Sequence, residues 1–322
     1  HLAGNVLNLP AGSEVITTPL TFVSTAYLAS YNNLTPIFAD IDEETLNIDP
    51  ASVEKNITEK TKVILPVHYG GHAADLDPLL KLRHQHNLTL VEDCAHATGA
   101  SYKGKPLGSF GDISVFSFQA VKNLATGDGG MLVTNNEQWA ERARIMRWCG
   151  INTDTSQRTG RDQYSWEYAI TNVGYKFQMP DILAAIGRVQ LQRLKELNAK
   201  RREITERYND AFAKINWIQT PIQKGYADSS NHNYCIRARK LEGGKRIPIR
   251  DRLLQHLKAN DISSSVHYKP LYLHDVYVKQ SIKANCPITD RVWKELLLLP
   301  IYPDMTSTEQ DHIIRTVKSF NA

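Results

Sequence analysis

The chain reads as an α/β protein: a large domain over residues 1–215 with a mainly parallel sheet flanked by helices, and a smaller α+β domain over 216–322. Three observations predict this. The first 150 residues alternate short apolar runs with amphipathic stretches, as strand–helix repeats do. Several of the runs are continuous and β-branched, as strands covered on both faces are. Beyond about residue 216 that alternation gives way to a different pattern.

The strands come in order. E-V-I-T-T-P (14–19), T-P-I-F-A-D-I (35–41), V-I-L-P-V-H (63–68), L-T-L-V-E-D (88–93), I-S-V-F-S-F (113–118) and G-M-L-V-T-N (130–135) are short and bounded by polar residues or turn formers. Helices are expected at 21–31, 75–86 and 137–147. A long helix starts at Pro180, where proline suits the first turn and Asp181 suits the positive end of the dipole. Ile182, Ala185, Ile186 and Val189 follow at helical spacing, which predicts a core helix, with a subunit interface as the alternative. The charged run from Lys195 to Arg207 is expected to carry the helix into solvent, towards the second domain. There N-Y-C-I-R-A (233–238) and S-S-S-V-H-Y-K-P (263–270) predict strands, 249–259 predicts a helix, and T-S-T-E (306–309) is a capping box opening a last one.

Composition narrows the class. The 322 residues carry a formal net charge of +4, mixed along the chain, which gives no footprint for nucleic acid but leaves room for small anionic substrates. Cys94, Cys149, Cys235 and Cys286 are widely spaced and read as free thiols of a reducing compartment. No run reaches membrane-spanning length and no secretory signal opens the chain, so a cytoplasmic location is expected. The pairs His68/His72 and His84/His86 lack the supporting cysteines or carboxylates of a metal site, and no metal is expected.

In open parallel sheets, ligands bind beyond the carboxyl ends of the strands. Two predicted strands end in reactive residues: L-T-L-V-E-D-C-A-H-A delivers Asp93 and His96, and V-F-S-F-Q-A-V-K delivers Ser117 and Lys122. G-D-G-G (127–130) then turns the chain back. An amine, a carboxylate and a hydroxyl at neighbouring strand ends could serve pyridoxal phosphate, which needs an amine for a Schiff base, an anion at its ring nitrogen and donors for its phosphate. Spacing alone leaves open that Asp93 and Lys122 are unrelated strand-end residues.

These segments resemble the sugar-nucleotide aminotransferases of the DegT/DnrJ/EryC1/StrS type. V-E-D-C-A-H-A and F-S-F-Q-A-V-K-N-L-A-T-G-D-G-G carry the resemblance, together with T-P-L-T-F-V-S-T-A, P-V-H-Y-G-G, G-Y-K-F-Q-M-P-D-I-L-A-A-I-G-R-V-Q-L and L-P-I-Y-P-D-M. They run collinearly over nearly the whole chain. The resemblance implies a pyridoxal-phosphate-dependent transferase fold with Lys122 as the Schiff-base lysine and proton shuttle. It implies Asp93 at the pyridine nitrogen, Ser117 at the phosphate, Phe22 stacked on the ring and His96 beside it. It further implies L-glutamate as amino donor, a nucleotide-linked keto-sugar as acceptor (on UDP or dTDP, with carbon 4 preferred and carbon 3 open), and a homodimer in which Gln178 reaches the partner's site. His267 and Lys269 are substrate candidates, and Arg158 and Arg161 could meet a diphosphate. Relatives that remove a sugar hydroxyl have histidine in place of the lysine, so Lys122 points to transamination. The alternatives are a non-catalytic relative on the same scaffold, or a transaminase of a free cyclic ketone.

Three departures stand out. The family's phosphate-cradling turn precedes the first helix, inside which this chain starts, implying an incomplete N-terminus or a variant. Gln178 stands where relatives carry asparagine, and Asp128 where they carry glutamate.

Overall fold

The computed structural model describes every residue except 154–158, 161–162, 165–166, 244 and 283. Strands β1 (Glu14–Thr17), β2 (Thr35–Phe38), β3 (Thr61–Leu65) and β4 (Thr89–Asp93) are followed by a small hairpin of β5 (Ser101–Tyr102) and β6 (Lys105–Pro106). Then come β7 (Ile113–Ser117) and β8 (Gly130–Val133). The main sheet runs in the order β2-β1-β3-β4-β7-β8. All its pairs are parallel except β7 with β8. That last pair is antiparallel because no helix lies between the two strands to carry the chain back across the sheet. Instead the ladder continues past β7 as a loop, with Phe118 N–H donating to Gly129 O and Ala120 N–H to Gly127 O, both at 2.9 Å. Lys122 sits at the tip of this loop.

Val15, Ile16, Val63, Ile64, Leu90 and Val91 are wholly buried, which is why their segments read as continuous apolar runs. The helices Ser24–Ser30, Leu76–Gln85 and Glu137–Arg147 lie within or at the expected ranges, and the opening helix is Leu2–Leu7. Pro50–Asn56 is an additional helix, capped by the Asp49 side chain. In the C-terminal part, Tyr234–Glu242 pairs antiparallel with Ile218–Gln219, Lys245–Pro248 and Leu296–Leu299. The last helix, Ser307–Ser319, opens on a complete capping box between Thr306 and Glu309.

Two expectations are corrected. The helix Asp181–Phe212 inverts the burial expected of it. Its apolar start is exposed, Ile182 at 77%, Ile186 at 42% and Val189 at 55%, so it is not a core helix. Its charged stretch, by contrast, carries an inward stripe of Leu197, Asn198, Arg201 and Ile204. Ile204, Tyr208 and Phe212 continue that stripe into one apolar cluster with Tyr234, Leu253, Leu297 and Val317. The second correction is the strand expected at 263–270. Ser265 forms only an isolated bridge with Leu298, because the carbonyl of His267 is taken by the Tyr69 hydroxyl rather than by a neighbouring strand.

Candidate active site

A cleft of about 860 Å³ opens beyond the carboxyl ends of β4 and β7. Phe22, Thr25, Asp93, His96, Ser117 and Lys122, on and around the main sheet, form one wall. His232, Ser264, His267, Tyr268 and Leu299, all beyond residue 216, form the other.

Asp93 is the last residue of β4 and is 7% exposed. Its Oδ1 accepts the Ala95 N–H at 3.0 Å and its Oδ2 accepts the Thr25 hydroxyl at 2.7 Å. With its proton given to Asp93, Thr25 in turn accepts from Thr21 at 2.8 Å. The carboxylate is thereby held in place with lone pairs to spare for a ligand. Lys122 faces the same cleft. Burial lowers its amine below the ordinary lysine range, and Asp93 pulls the other way without reversing this. Burial also lowers His96 and His232 well below the usual histidine range, and lowers His267, with Lys122 adding in the same direction for each. An amine ringed by neutral imidazoles and one carboxylate is far closer to a nucleophile than a surface lysine.

Ser117 stands at the end of β7, and among the described residues its oxygen receives only a long 3.4 Å contact from Gln119 N–H, so the hydroxyl proton is available to a ligand. Phe22 is 59% exposed at the cleft wall, 6.4 Å from the Tyr268 ring, and is not a core residue. His96 accepts from Gly70 N–H through Nδ1 at 3.4 Å, which leaves Nε2–H to donate to Tyr268 Oη at 3.4 Å. The Tyr-Gly-Gly turn after β3 makes this approach possible. Gly71 has φ of 96°, and a Cβ there would meet Ser230 Oγ at 2.1 Å and His96 O at 3.0 Å.

The remaining sequence candidates are placed differently. The Nδ1 of His267 is buried with no hydrogen-bond partner among the described residues. Lys269 is exposed and does not line the cleft. Arg158 and Arg161 lie outside the described residues. Gln178 lines a separate cavity of about 1090 Å³ with Arg144, Trp148 and Pro180, and its buried Oε1 has no partner among the described residues. Thr25, Tyr268, His232 and Asn123 were not singled out in sequence. Only the Thr21–Thr25 spacing, one helical turn, offered a signal.

His68, Glu92 and Cys94 lie within 4.8 Å of one another. His68 Nδ1 accepts the Ala74 N–H, so Nε2–H donates to Glu92 at 3.1 Å. Glu92 also accepts from Gly108, Phe110, Gly111 and the Ser114 hydroxyl. Burial alone would raise this carboxyl, but the His68 bond and the glycine amides outweigh it and bring it down to about 2. Its lone pairs are committed to protons, which makes this cluster a satisfied buried network under the site.

The residues present fit pyridoxal phosphate: an amine of lowered basicity, a held carboxylate, a free hydroxyl and an exposed aromatic face share one cleft. A family model described as the DegT/DnrJ/EryC1/StrS aminotransferase family matches residues 1–318. The chain is 40% identical over 321 residues to an uncharacterized protein, MJ1066, of Methanocaldococcus jannaschii, covering 99% of this chain and 82% of that one. It is 39% identical over 320 residues to the spore coat polysaccharide biosynthesis protein SpsC of Bacillus subtilis, covering 98% and 81%. The sugar aminotransferase CalS13 of Micromonospora echinospora superposes with a TM-score of 0.85 at 30% identity, covering 99% of this chain and 85% of that one. Aminotransferases of this kind depend on pyridoxal phosphate. A match that spans nearly every residue, on a fold that brings its strand-end amine and carboxylate to one cleft, means that the chain belongs to the DegT/DnrJ/EryC1/StrS aminotransferase family.

Proposed function

We propose that this chain is a pyridoxal-phosphate-dependent aminotransferase that moves the amino group of L-glutamate to carbon 4 of a keto-sugar carried on UDP or dTDP. The observation that carries the reading is a lysine whose amine is made less basic by burial, facing the same cleft as the held carboxylate Asp93. Pyridoxal phosphate, when bound, supplies an electron sink for the carbon that gains or loses nitrogen. Lys122 Nζ would bind its aldehyde carbon and hold and move the proton at the reacting carbon. Asp93 would keep the ring nitrogen protonated, Ser117 would take the phosphate, and Phe22 and His96 would flank the ring. His267, with its buried orphan nitrogen, would meet the substrate. Residues 1–215 would carry the cofactor and 216–322 would close the substrate side.

The working form in this reading is a cytoplasmic homodimer. Gln178 lies away from the cleft of its own chain, beside exposed Phe177 and Met131, which suits a residue serving a second copy. Among the described residues no helix is long and apolar enough to cross a membrane.

The test is borohydride reduction of the cofactor-loaded chain followed by peptide mass mapping. A pyridoxyl group on the peptide holding Lys122, absent in Lys122→Ala, is the expected result. Turnover in that variant should fall by about 10²–10⁴-fold, the range that proton transfer by one positioned group supplies. No adduct in the wild-type protein would point to a non-catalytic relative. Inhibition by free UDP or dTDP is expected, and its absence would point to a free cyclic ketone as acceptor.

A further inference from the structure

His232 lies about 110 residues from Lys122 in sequence, yet its ring lines the same cleft. It is 7% exposed and stacks on the His96 ring at 4.5 Å. Its Nδ1 lies 2.8 Å from Oδ1 of Asn123, the residue that follows the lysine.

The direction of that bond follows from Asn123. The Asn123 amide nitrogen lies 2.8 Å from the Ser230 carbonyl, which can only accept, and 2.8 Å from Asn198 Oδ1. Asn198 spends its own amide nitrogen on Thr98 O at 3.1 Å, which leaves its oxygen as the acceptor. Both amide protons of Asn123 are therefore committed, and its oxygen must accept. His232 must then carry its proton on Nδ1, leaving Nε2 as a lone pair. Ser230 closes the set by donating its hydroxyl to the carbonyl of His96 at 2.6 Å. Asn123, Asn198, Ser230, His232 and His96 are all buried, and they tie four separate stretches of chain beneath the lysine loop.

We propose that His232 is a positioning residue for Lys122: its Nδ1–H fixes Asn123, and through it the backbone from which the amine projects. The proposal rests on the aminotransferase reading for what the amine does, but not for where it is held. A loop tip without this tie can wander, and a displacement of about 1 Å at a reacting group can cost about 10²-fold in rate. The ring's neutrality serves the same end, since a second proton on His232 would place a cation next to the amine. The titratable groups facing Lys122 are Asp93, His96, His232 and His267.

Two variants separate positioning from mere filling. The amide of asparagine can place a donor where the Nδ1–H was, whereas that of glutamine places it near Nε2. With full-length protein loaded with pyridoxal phosphate and given L-glutamate, His232→Asn should keep kcat within about threefold of wild type. His232→Gln should lose about 10-fold to 10²-fold in kcat with KM little changed. In cofactor-free protein, Lys122 can be reductively methylated with ¹³C-formaldehyde and its titration followed by NMR. Its midpoint should match wild type in His232→Asn and move up towards ordinary lysine in His232→Gln. Equal behaviour of the two variants in both measurements, or a loss confined to KM, overturns the proposal. The wild-type protein offers an independent check should a variant not fold. Long-range ¹H–¹⁵N correlation of ¹⁵N-histidine protein should show His232 protonated on Nδ1, and an Nε2–H tautomer overturns the proposal. If wild-type protein fails to take up cofactor, the functional reading falls, while the cofactor-free titration and the tautomer still decide this one.

Discussion

At the scale of single residues, opposing influences meet at one amine. Burial drives the Lys122 amine towards neutrality, and Asp93, buried and held by Thr25 and Ala95, draws it back towards the charged form. The signs make a prediction. Asp93→Asn removes the influence that raises the amine among the described residues, so the titration of Lys122 in cofactor-free protein should move further down. ¹³C-methyl NMR or the pH dependence of labelling by a small amine reagent would read this, and an upward move would contradict the arrangement. Asp93, His96, Ser117 and Lys122 were visible in sequence because strand ends face ligands in parallel sheets. Thr25, Asn123, Asn198, His232 and Tyr268 were not, because what recruits them is contact between segments 68 to 172 residues apart.

Secondary-structure elements show the same division. The central strands of the main sheet were legible because they are buried on both faces and spell that burial as continuous β-branched runs. The C-terminal capping box was legible because it is local chemistry, two side chains reaching across one helical turn. The long helix misled because periodicity shows that an apolar face exists, not what covers it. Its exposed start, with Ile182, Ile186 and Val189, adjoins the exposed apolar side chains of Phe177, Met131 and Val133. In the proposed homodimer, an exposed apolar patch of that kind would be the interface. Ile182→Glu combined with Ile186→Glu should therefore yield a folded monomer. Sedimentation velocity should show the lower mass, and the stability of the monomer itself should change by about 0.5 kcal/mol or less per substitution, since neither side chain is buried within the chain. Unchanged mass in the double variant would remove this face from the assembly.

Across the whole molecule, buried titratable groups set how the fold responds to acid. His96 and His232 titrate near 6.5 when unfolded and well below that when folded, because burial disfavours their charged forms. The unfolded chain thus binds protons that the folded chain refuses. The stability these groups permit is complete above about 6.5 and is lost as pH falls below it. Glu92 adds a second window: brought from 4.5 to about 2 in the fold, it contributes stability above 4.5 that disappears as pH falls towards 2. Unfolding free energy from urea titrations should fall by about 1 to 3 kcal/mol per pH unit below 6.5. His232→Asn should lower that slope by up to about 1.4 kcal/mol per pH unit, while the buried His96, His267 and His72 keep the remainder. A flat profile between about pH 7 and pH 5 would mean that neither imidazole is held neutral.

By itself the sequence determined the strand-and-helix alternation, the large parallel sheet, the capping of the last helix, and the strand-end carboxylate and amine that announce the chemistry. Each depends on interactions among near neighbours or on a face buried along its whole length, and such things are written in local pattern. Only the tertiary structure decided which half of the long helix faces inward. It alone showed that Ser263, Ser264, Ser265, His267 and Tyr268 line a cleft instead of forming a strand, and that two asparagines, a serine and a histidine underpin the lysine loop. Those outcomes depend on what covers each surface and on which donor meets which acceptor across the fold, and no spacing along one segment encodes its partner.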